Sequence, residues 1–110
     1  MYIQFVYMKL TKLPTILSFE WDEWNIKKNW NKHKVKPNEA EEAFIDKKRV
    51  VFGDVKHSEV EERFVLLGKT KRGKKLYIAF TKRGKRIRVI SARPINRKEV
   101  LLYEKAINIA

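Results

Sequence analysis

The segment Arg63-Phe-Val-Leu-Leu-Gly-Lys-Thr-Lys-Arg-Gly-Lys-Lys-Leu-Tyr-Ile-Ala-Phe-Thr-Lys-Arg-Gly-Lys-Arg-Ile-Arg-Val-Ile-Ser-Ala-Arg-Pro-Ile-Asn-Arg-Lys98 holds fourteen Lys or Arg residues and no Asp or Glu. Three apolar runs, Phe64–Leu67, Leu76–Phe80 and Ile87–Ile90, alternate with two basic glycine turns, Lys71-Arg72-Gly73-Lys74 and Lys82-Arg83-Gly84-Lys85. Short apolar runs broken by glycine turns predict a three-stranded antiparallel meander, with strands at Arg63–Lys69, Lys75–Thr81 and Arg86–Arg93. In the last strand, simple alternation puts Ile87, Val89 and Ser91 on one face and Arg86, Arg88, Ile90 and Ala92 on the other. Arg93 then falls on the Ile87 and Val89 side, at its rim.

Around this segment the bulk composition sets limits. A chain of 110 residues supports one core. At 44% hydrophobic and 35% charged it suits a folded domain. The net charge is +13, and it is unevenly spread: residues 1–55 carry ten basic and eight acidic side chains, residues 56–110 sixteen and five. A field concentrated on the half that holds the meander predicts an anionic partner. The absence of cysteine excludes disulfides and thiolate zinc sites, and two histidines offer little for a metal cluster, so no metal or cofactor is expected. No apolar run reaches the roughly 18 residues of a membrane span. The N-terminus is apolar first and basic second, the reverse of a secretory signal, which reads as a cytoplasmic protein.

Taken in order, residues 1–18 read as a lead segment without clear structure, and residues 19–110 as a single domain. Ile3, Phe5 and Tyr7 alternate in the manner of a short strand, and Pro14 breaks any element begun at Thr11. Phe19–Asp22 reads as a brief strand leading into a helix from Glu23 to about His33, capped by Asp22, with Ile26 and Trp30 on its packing face. A second helix near Glu39–Ile45 follows a capping pattern of Asn38 and Glu41, and buries Ala40, Ala43 and Phe44. Arg49–Gly53 reads as a strand and Asp54–Glu59 as a polar loop. After the meander, Pro94 ends the last strand, and Asn96 with Glu99 caps a final helix packing through Val100, Tyr103 and Ile107. Helices first, then a mostly antiparallel twisted sheet, then a C-terminal helix make an α+β fold.

Neither a P-loop nor a dinucleotide glycine pattern is present. A basic site without metal suits one reaction in particular: cleavage of RNA by attack of the ribose 2′-OH on the adjacent phosphate. The substrate supplies the nucleophile; the protein positions the phosphate, stabilises the developing negative charge and moves two protons. Guanidinium groups suit the first two tasks, being planar, permanently charged and bidentate towards phosphate. Arg63, Arg83 and Arg93 are the catalytic candidates, and Arg86, Arg88, Lys82 and Lys85 the candidates for holding RNA. His57 is the proton mover the sequence offers near neutral pH, or else a loop histidine bonded to backbone. His33 reads as a helix-end residue favoured by the dipole. Glu61 shares the side of Arg63 and would orient its guanidinium. Trp21 and Trp30 read as core and Trp24 as exposed. Tyr103 is either a core residue with its hydroxyl at an edge or a proton donor. A basic module that binds RNA, DNA or an acidic protein without catalysis is the competing reading.

Several strings resemble one family. Phe19-Glu20-Trp21-Asp22, then Asn29-x-x-Lys32-His33-x-Val35 and Ala40-x-x-x-Phe44, are similar to the opening of the BrnT family of type II toxins. So are His57-Ser58, Glu61-Glu62-Arg63-Phe64-Val65, Gly68, Gly73, Thr81-x-Arg83-Gly84 and Ile87-Arg88-Val89-Ile90-Ser91-Ala92-Arg93, followed by Arg97, Glu99 and Tyr103-Glu104. The resemblance implies a RelE-like fold and a metal-independent endoribonuclease that cleaves mRNA and arrests growth. It also implies a cognate BrnA-like ribbon-helix-helix antitoxin, through which the complex binds operator DNA. Arg63, Arg83, Arg88 and Arg93 fall on matched basic positions. The chain departs from the family pattern at Lys34, where glycine is usual, and at Pro37, where phenylalanine is usual.

Overall fold

A computed structural model describes residues 8–12, 18–54 and 61–109. Its strands are β1 (Met8–Thr11), β2 (Ser18–Glu20), β3 (Val50–Asp54), β4 (Arg63–Lys69), β5 (Lys75–Arg83) and β6 (Arg86–Pro94). The helices are α1 (Glu23–His33) and α2 (Pro37–Phe44), which precede β3, and α3 (Arg97–Ile109), which ends the chain. The strands form one sheet in the order β1-β3-β4-β5-β6-β2, antiparallel except where β2 pairs in parallel with β6. This is the expected α+β architecture, with the meander β4–β5–β6 at its centre. The edge strand β1 has no clear signal in the sequence; the expected strand around Ile3–Tyr7 lies outside the described residues.

Each face of the sheet carries its own core. Val51, Phe64, Leu66, Ile78, Phe80, Ile87 and Val89 meet Val35, Ala40, Ala43 and Phe44 of the α1–α2 side. Phe44 contacts Phe19 and Phe80 edge-on with ring centroids 5.0 Å apart, and Phe80 stacks on Phe64 at 5.3 Å. Helix α2 lies so close to β4 that a Cβ at Gly68 would sit 2.5 Å from the carbonyl oxygen of Ala43. On the other face Val50, Phe52, Val65 and Leu67 pack with Tyr103, supported by Leu102. Helix α3 packs mainly on the β3–β4 side of this second face and reaches β6 through Glu99 at Arg93. Its start is the expected capping box: Glu99 N–H donates to Asn96 Oδ1, and Asn96 N–H to Glu99 Oε1, both at 2.9 Å.

Two helix expectations need correcting. The α2 start lies at Pro37, not Glu39; Lys36 N–H donates to Glu39 Oε1 at 2.9 Å, so Glu39 rather than Glu41 closes the turn. In α1 the residues buried against the sheet are Asn25 and Asn29, while Trp30 is 42% exposed. The cause is a bulge in β6. Ala79 pairs with Ser91 but Phe80 with Val89, leaving Ile90 as the extra residue. Strand β2 pairs with β6 only as far as Arg88. Beyond it, Asn25 Nδ2 donates to Val89 O at 3.3 Å, Lys28 Nζ to Ile90 O at 3.2 Å, and Ala92 N–H to Asn29 Oδ1 at 3.2 Å. A buried strand edge must find hydrogen-bond partners, and these asparagine amides serve where apolar side chains cannot. Asn29→Ala therefore exposes a buried N–H and is expected to cost about 1–3 kcal/mol. Trp30→Ala should cost well under half of that, and urea melts of the two variants compare them directly.

Asp46 ties the layers together beyond the α2 end. Its carboxylate accepts from Lys48 N–H at 3.0 Å, Lys69 N–H at 2.9 Å and the Tyr103 hydroxyl at 2.7 Å. Tyr103 is thus a core residue with an anchored hydroxyl, which burial and the Asp46 carboxylate hold protonated. Burial opposes ionisation of Asp46, but the hydrogen bonds from Tyr103, Lys48 and Lys69 take its pKa below the ordinary 3.8. A depressed folded-state pKa gives stability that is complete above the unfolded value and lost as pH falls through the folded one. Asp46→Asn should accordingly flatten the loss of stability between about pH 4 and pH 2 that acid titration of the parent chain shows.

Candidate functional site

The register of the central strands brings five arginines to one face. Val65 and Leu67 point to the α3 side, and Arg63 shares their parity. Arg63 pairs with Thr81, Thr81 with Arg88, and Arg83 with Arg86, so Arg63, Arg83, Arg86 and Arg88 stand on that side together. Simple alternation places Arg93 on the opposite side; the structure corrects this. The extra residue at Ile90 shifts the phase, so Ala92 joins Ile87 and Val89 in the core, and Arg93 pairs with Tyr77 on the α3 face. Lys82 goes the other way, opposite the buried Ile87 on the helix-covered side. Lys85 sits at the exposed tip of the β5–β6 turn, where Gly84 supplies a φ of 62°. His57 lies outside the described residues.

The second half of this face, over β5 and β6, meets α3 through Glu99 at Arg93 and Glu104 at Lys75. Its floor is small: Ala79 and Thr81 are 6% and 4% exposed. Although the segment itself is free of acids, the fold brings carboxylates to it from elsewhere. Arg83 donates from Nε to Glu61 at 3.0 Å and from Nη1 to Glu20 at 3.3 Å. Arg88 Nη2 donates to Asp22 Oδ2 at 2.8 Å, while Oδ1 of the same residue caps α1 through Asn25 N–H. Extension of the β4–β5 ladder past Arg63 puts Glu61 opposite Arg83, which is why it pairs there and not with Arg63. The β3–β4 register likewise continues to place Asp54 across from Arg63. Hydrogen bonds to Arg83 lower the Glu61 pKa, and hydrogen bonds from Asn25 N–H and Arg88 lower that of Asp22.

Arg93 is held on several sides. Its Nη1 and Nη2 donate to Glu99 Oε1 and Oε2 at 2.8 and 2.7 Å, and Nη1 also reaches Pro94 O at 3.2 Å. Glu99 is fully buried. The guanidinium carbon lies 3.9 Å from the centroid of the Tyr77 ring, a cation–π stack that fixes its plane. Burial opposes the Arg93 charge, yet the Glu99 bonds raise its pKa above the ordinary guanidinium value. Tyr77 is half-buried beside Arg93 and Arg63; burial outweighs their positive fields and raises its pKa above 10.0. Its hydroxyl therefore stays protonated through neutrality and can give a proton. His33, at the end of α1, is lowered below 6.5 by burial and then by Arg93, Lys32 and Lys28. Those charges outweigh the helix dipole that the sequence suggests would favour its cation.

The arrangement can therefore bind phosphate through a fixed array of guanidinium groups and present a neutral acid among them. Residues 21–99 match the family described as the ribonuclease toxin, BrnT, of type II toxin-antitoxin systems. The chain belongs to the BrnT family. Among the curated proteins no match is found. Membership makes this BrnT chain a ribonuclease toxin that acts on RNA and is opposed by an antitoxin. The matched region takes in all five arginines and Glu99. Among the described residues no helix is long and apolar enough to cross a membrane, and no group of three or more His, Cys, Asp or Glu is placed to hold a metal.

Tyr77 and the buried Glu99 are the site residues that sequence reading did not single out. Tyr77 looks like any strand aromatic until the shifted register puts it under Arg93, and Glu99 looks like a helix cap alone. The two roles of Glu99 give a graded expectation. Glu99→Gln removes the counter-charge of a half-buried guanidinium and should cost about 2–3 kcal/mol. Glu20→Gln, at an exposed pair, should change stability by less than about 1 kcal/mol. Denaturant titration of both variants reads the difference.

Proposed function

We propose that this BrnT chain is a metal-independent endoribonuclease of RelE-like type that cleaves mRNA on the β5–β6 half of the arginine face. The supporting observation is the convergence of Arg63, Arg83, Arg86, Arg88 and Arg93 on one sheet surface, all five on strands paired in register. The 2′-oxygen of a ribose attacks the adjacent phosphorus, the P–O5′ bond breaks, and a 2′,3′-cyclic phosphate and a 5′-hydroxyl leave. Charge accumulates on the non-bridging oxygens, and the guanidinium groups stabilise it there. Arg86, exposed and without a carboxylate partner among the described residues, is free to engage RNA on arrival. Tyr77 is the proton donor for the leaving O5′. His57 is the sequence's candidate for the other proton. The same face is the docking surface for a BrnA-like ribbon-helix-helix antitoxin, whose complex with the toxin binds operator DNA. The protein works in the cytoplasm, where mRNA is found.

The purified chain should cleave RNA in EDTA and leave 2′,3′-cyclic ends, detected by end-specific ligation. Arg86→Ala should lower the rate at least tenfold while leaving the melting temperature unchanged, since its head makes no bond among the described residues. RNA recovered intact from the parent chain, with translating ribosomes also supplied, would sink this reading in favour of a binding module. Induction in bacteria should arrest growth, and co-expression of the neighbouring antitoxin gene should restore it.

A further inference from the structure

A second cationic site lies away from the arginine face. Between the end of α1, the start of α2 and the β4–β5 turn is a groove of about 460 Å³. Trp30, Lys34, Lys36, Thr70, Lys71 and Arg72 line most of it. Trp30 is a large aromatic ring left 42% exposed. The ammonium groups of Lys34 and Lys36 stand 5.1 and 5.6 Å from its ring centroid. Two carboxylates share the wall, but both have work within the fold. Glu39 accepts Lys36 N–H at 2.9 Å and pairs with Lys74 Nζ at 3.6 Å, and Glu42 accepts Lys71 N–H at 3.0 Å. No carboxylate among the described residues pairs with the side chains of Lys34, Lys36, Lys71 or Arg72.

Lys34 adds an independent observation. It closes α1 with φ 56° and ψ 40°, the only described non-glycine residue at positive φ. That conformation suits glycine and strains a residue with a Cβ. Here the strained position carries a lysine whose ammonium lies against the groove's aromatic ring. A backbone site that favours glycine but holds a cation points to a use for the cation.

We propose that this groove is an accessory binding site for single-stranded RNA, in which one base stacks on Trp30 and the flanking phosphates meet Lys34, Lys36, Lys71 and Arg72. Aromatic stacking within a basic groove is the chemistry that holds unpaired nucleotides without sequence preference. A volume of this size accommodates one nucleotide. The ammonium groups over the ring are held only by weak cation–π contact at an exposed site, so an entering base displaces them towards its phosphate. The groove lies at the β4–β5 turn, the end of the sheet at which Tyr77 and Arg93 stand on the opposite face. Two residues of β5, about 7 Å of strand, separate Tyr77 from Lys75 at the turn, and His33 of the last α1 turn feels the charge of Arg93. A strand held by the arginines can thus continue round that end into the groove. That continuity rests on the ribonuclease reading; binding in the groove does not.

The test uses the full chain and a fluorescently labelled 2′-O-methyl octanucleotide, which lacks the attacking hydroxyl and cannot be cleaved. Anisotropy titrations should show Trp30→Ala weakening binding about tenfold, or about 1.4 kcal/mol. Lys34→Gly should raise the melting temperature by relieving the backbone yet weaken binding several-fold, an opposition that a purely structural lysine does not produce. Affinity unchanged in both variants, with Arg86→Ala still weakening it, overturns the proposal and confines RNA to the arginine face. A glutamate-rich peptide that binds through Trp30 while the oligonucleotide ignores Trp30 also overturns it, making the groove a protein dock. If the chain cleaves no RNA but Trp30 still governs oligonucleotide binding, the accessory site stands and the catalytic reading falls.

Discussion

One extra residue in β6 governs how the parts of this fold meet. The bulge at Ile90 interrupts the edge of the strand at the point where β2 stops covering it, and leaves backbone groups that must be satisfied. Asn25, Asn29 and Lys28 satisfy them, and that requirement sets the rotation of α1 about its own axis. The rotation buries two amides and turns Trp30 outward. The same insertion changes the phase of everything beyond it, so that Arg93 comes through to the α3 face and meets both Tyr77 and Glu99. Helix rotation, core composition and the fifth arginine of the site are consequences of a single backbone irregularity.

This also explains which features could be read from the amino-acid order. The meander, the Asp22 cap, the Asn96–Glu99 box and the α2 stripe of Ala40, Ala43 and Phe44 are local patterns, and the structure has them all. Period-two alternation puts Arg86 and Arg88 on one face of the last strand, as the structure has them, but bringing Arg63 and Arg83 to that face takes the cross-strand register. Arg93 is misplaced by it, because alternation cannot register an inserted residue. The burial of Asn25 in place of Ile26 was equally out of reach, since it answers a hydrogen-bonding need in a strand more than sixty positions away. Glu61 was assigned to its chain neighbour Arg63, whereas cross-strand register gives it to Arg83. The errors share one source: the partner lies across the sheet.

The acid-free character of Arg63–Lys98 is likewise a property of the chain and not of the folded surface. Glu20, Asp22, Glu61 and Glu99 come from outside that interval and each holds one of its guanidinium groups. Long side chains that would otherwise sample many rotamers are held in place by these pairs, which limits the ordering cost of binding a phosphate. The carboxylates also moderate the field, so the face is less attractive to indiscriminate polyanions than its composition implies.

The strand order has a consequence for how the protein comes into being. Both edges of the sheet are built from the first twenty residues, β1 against β3 and β2 against β6. The second of these pairings joins Phe19 to Ile87, so it must wait until almost the whole chain has left the ribosome. Glu20 and Asp22 reach Arg83 and Arg88 only when that pairing closes, and α1 can cap the bulge only then. Pairings so distant in sequence form slowly and late. A growing chain therefore carries its arginines before it carries the geometry that aims them.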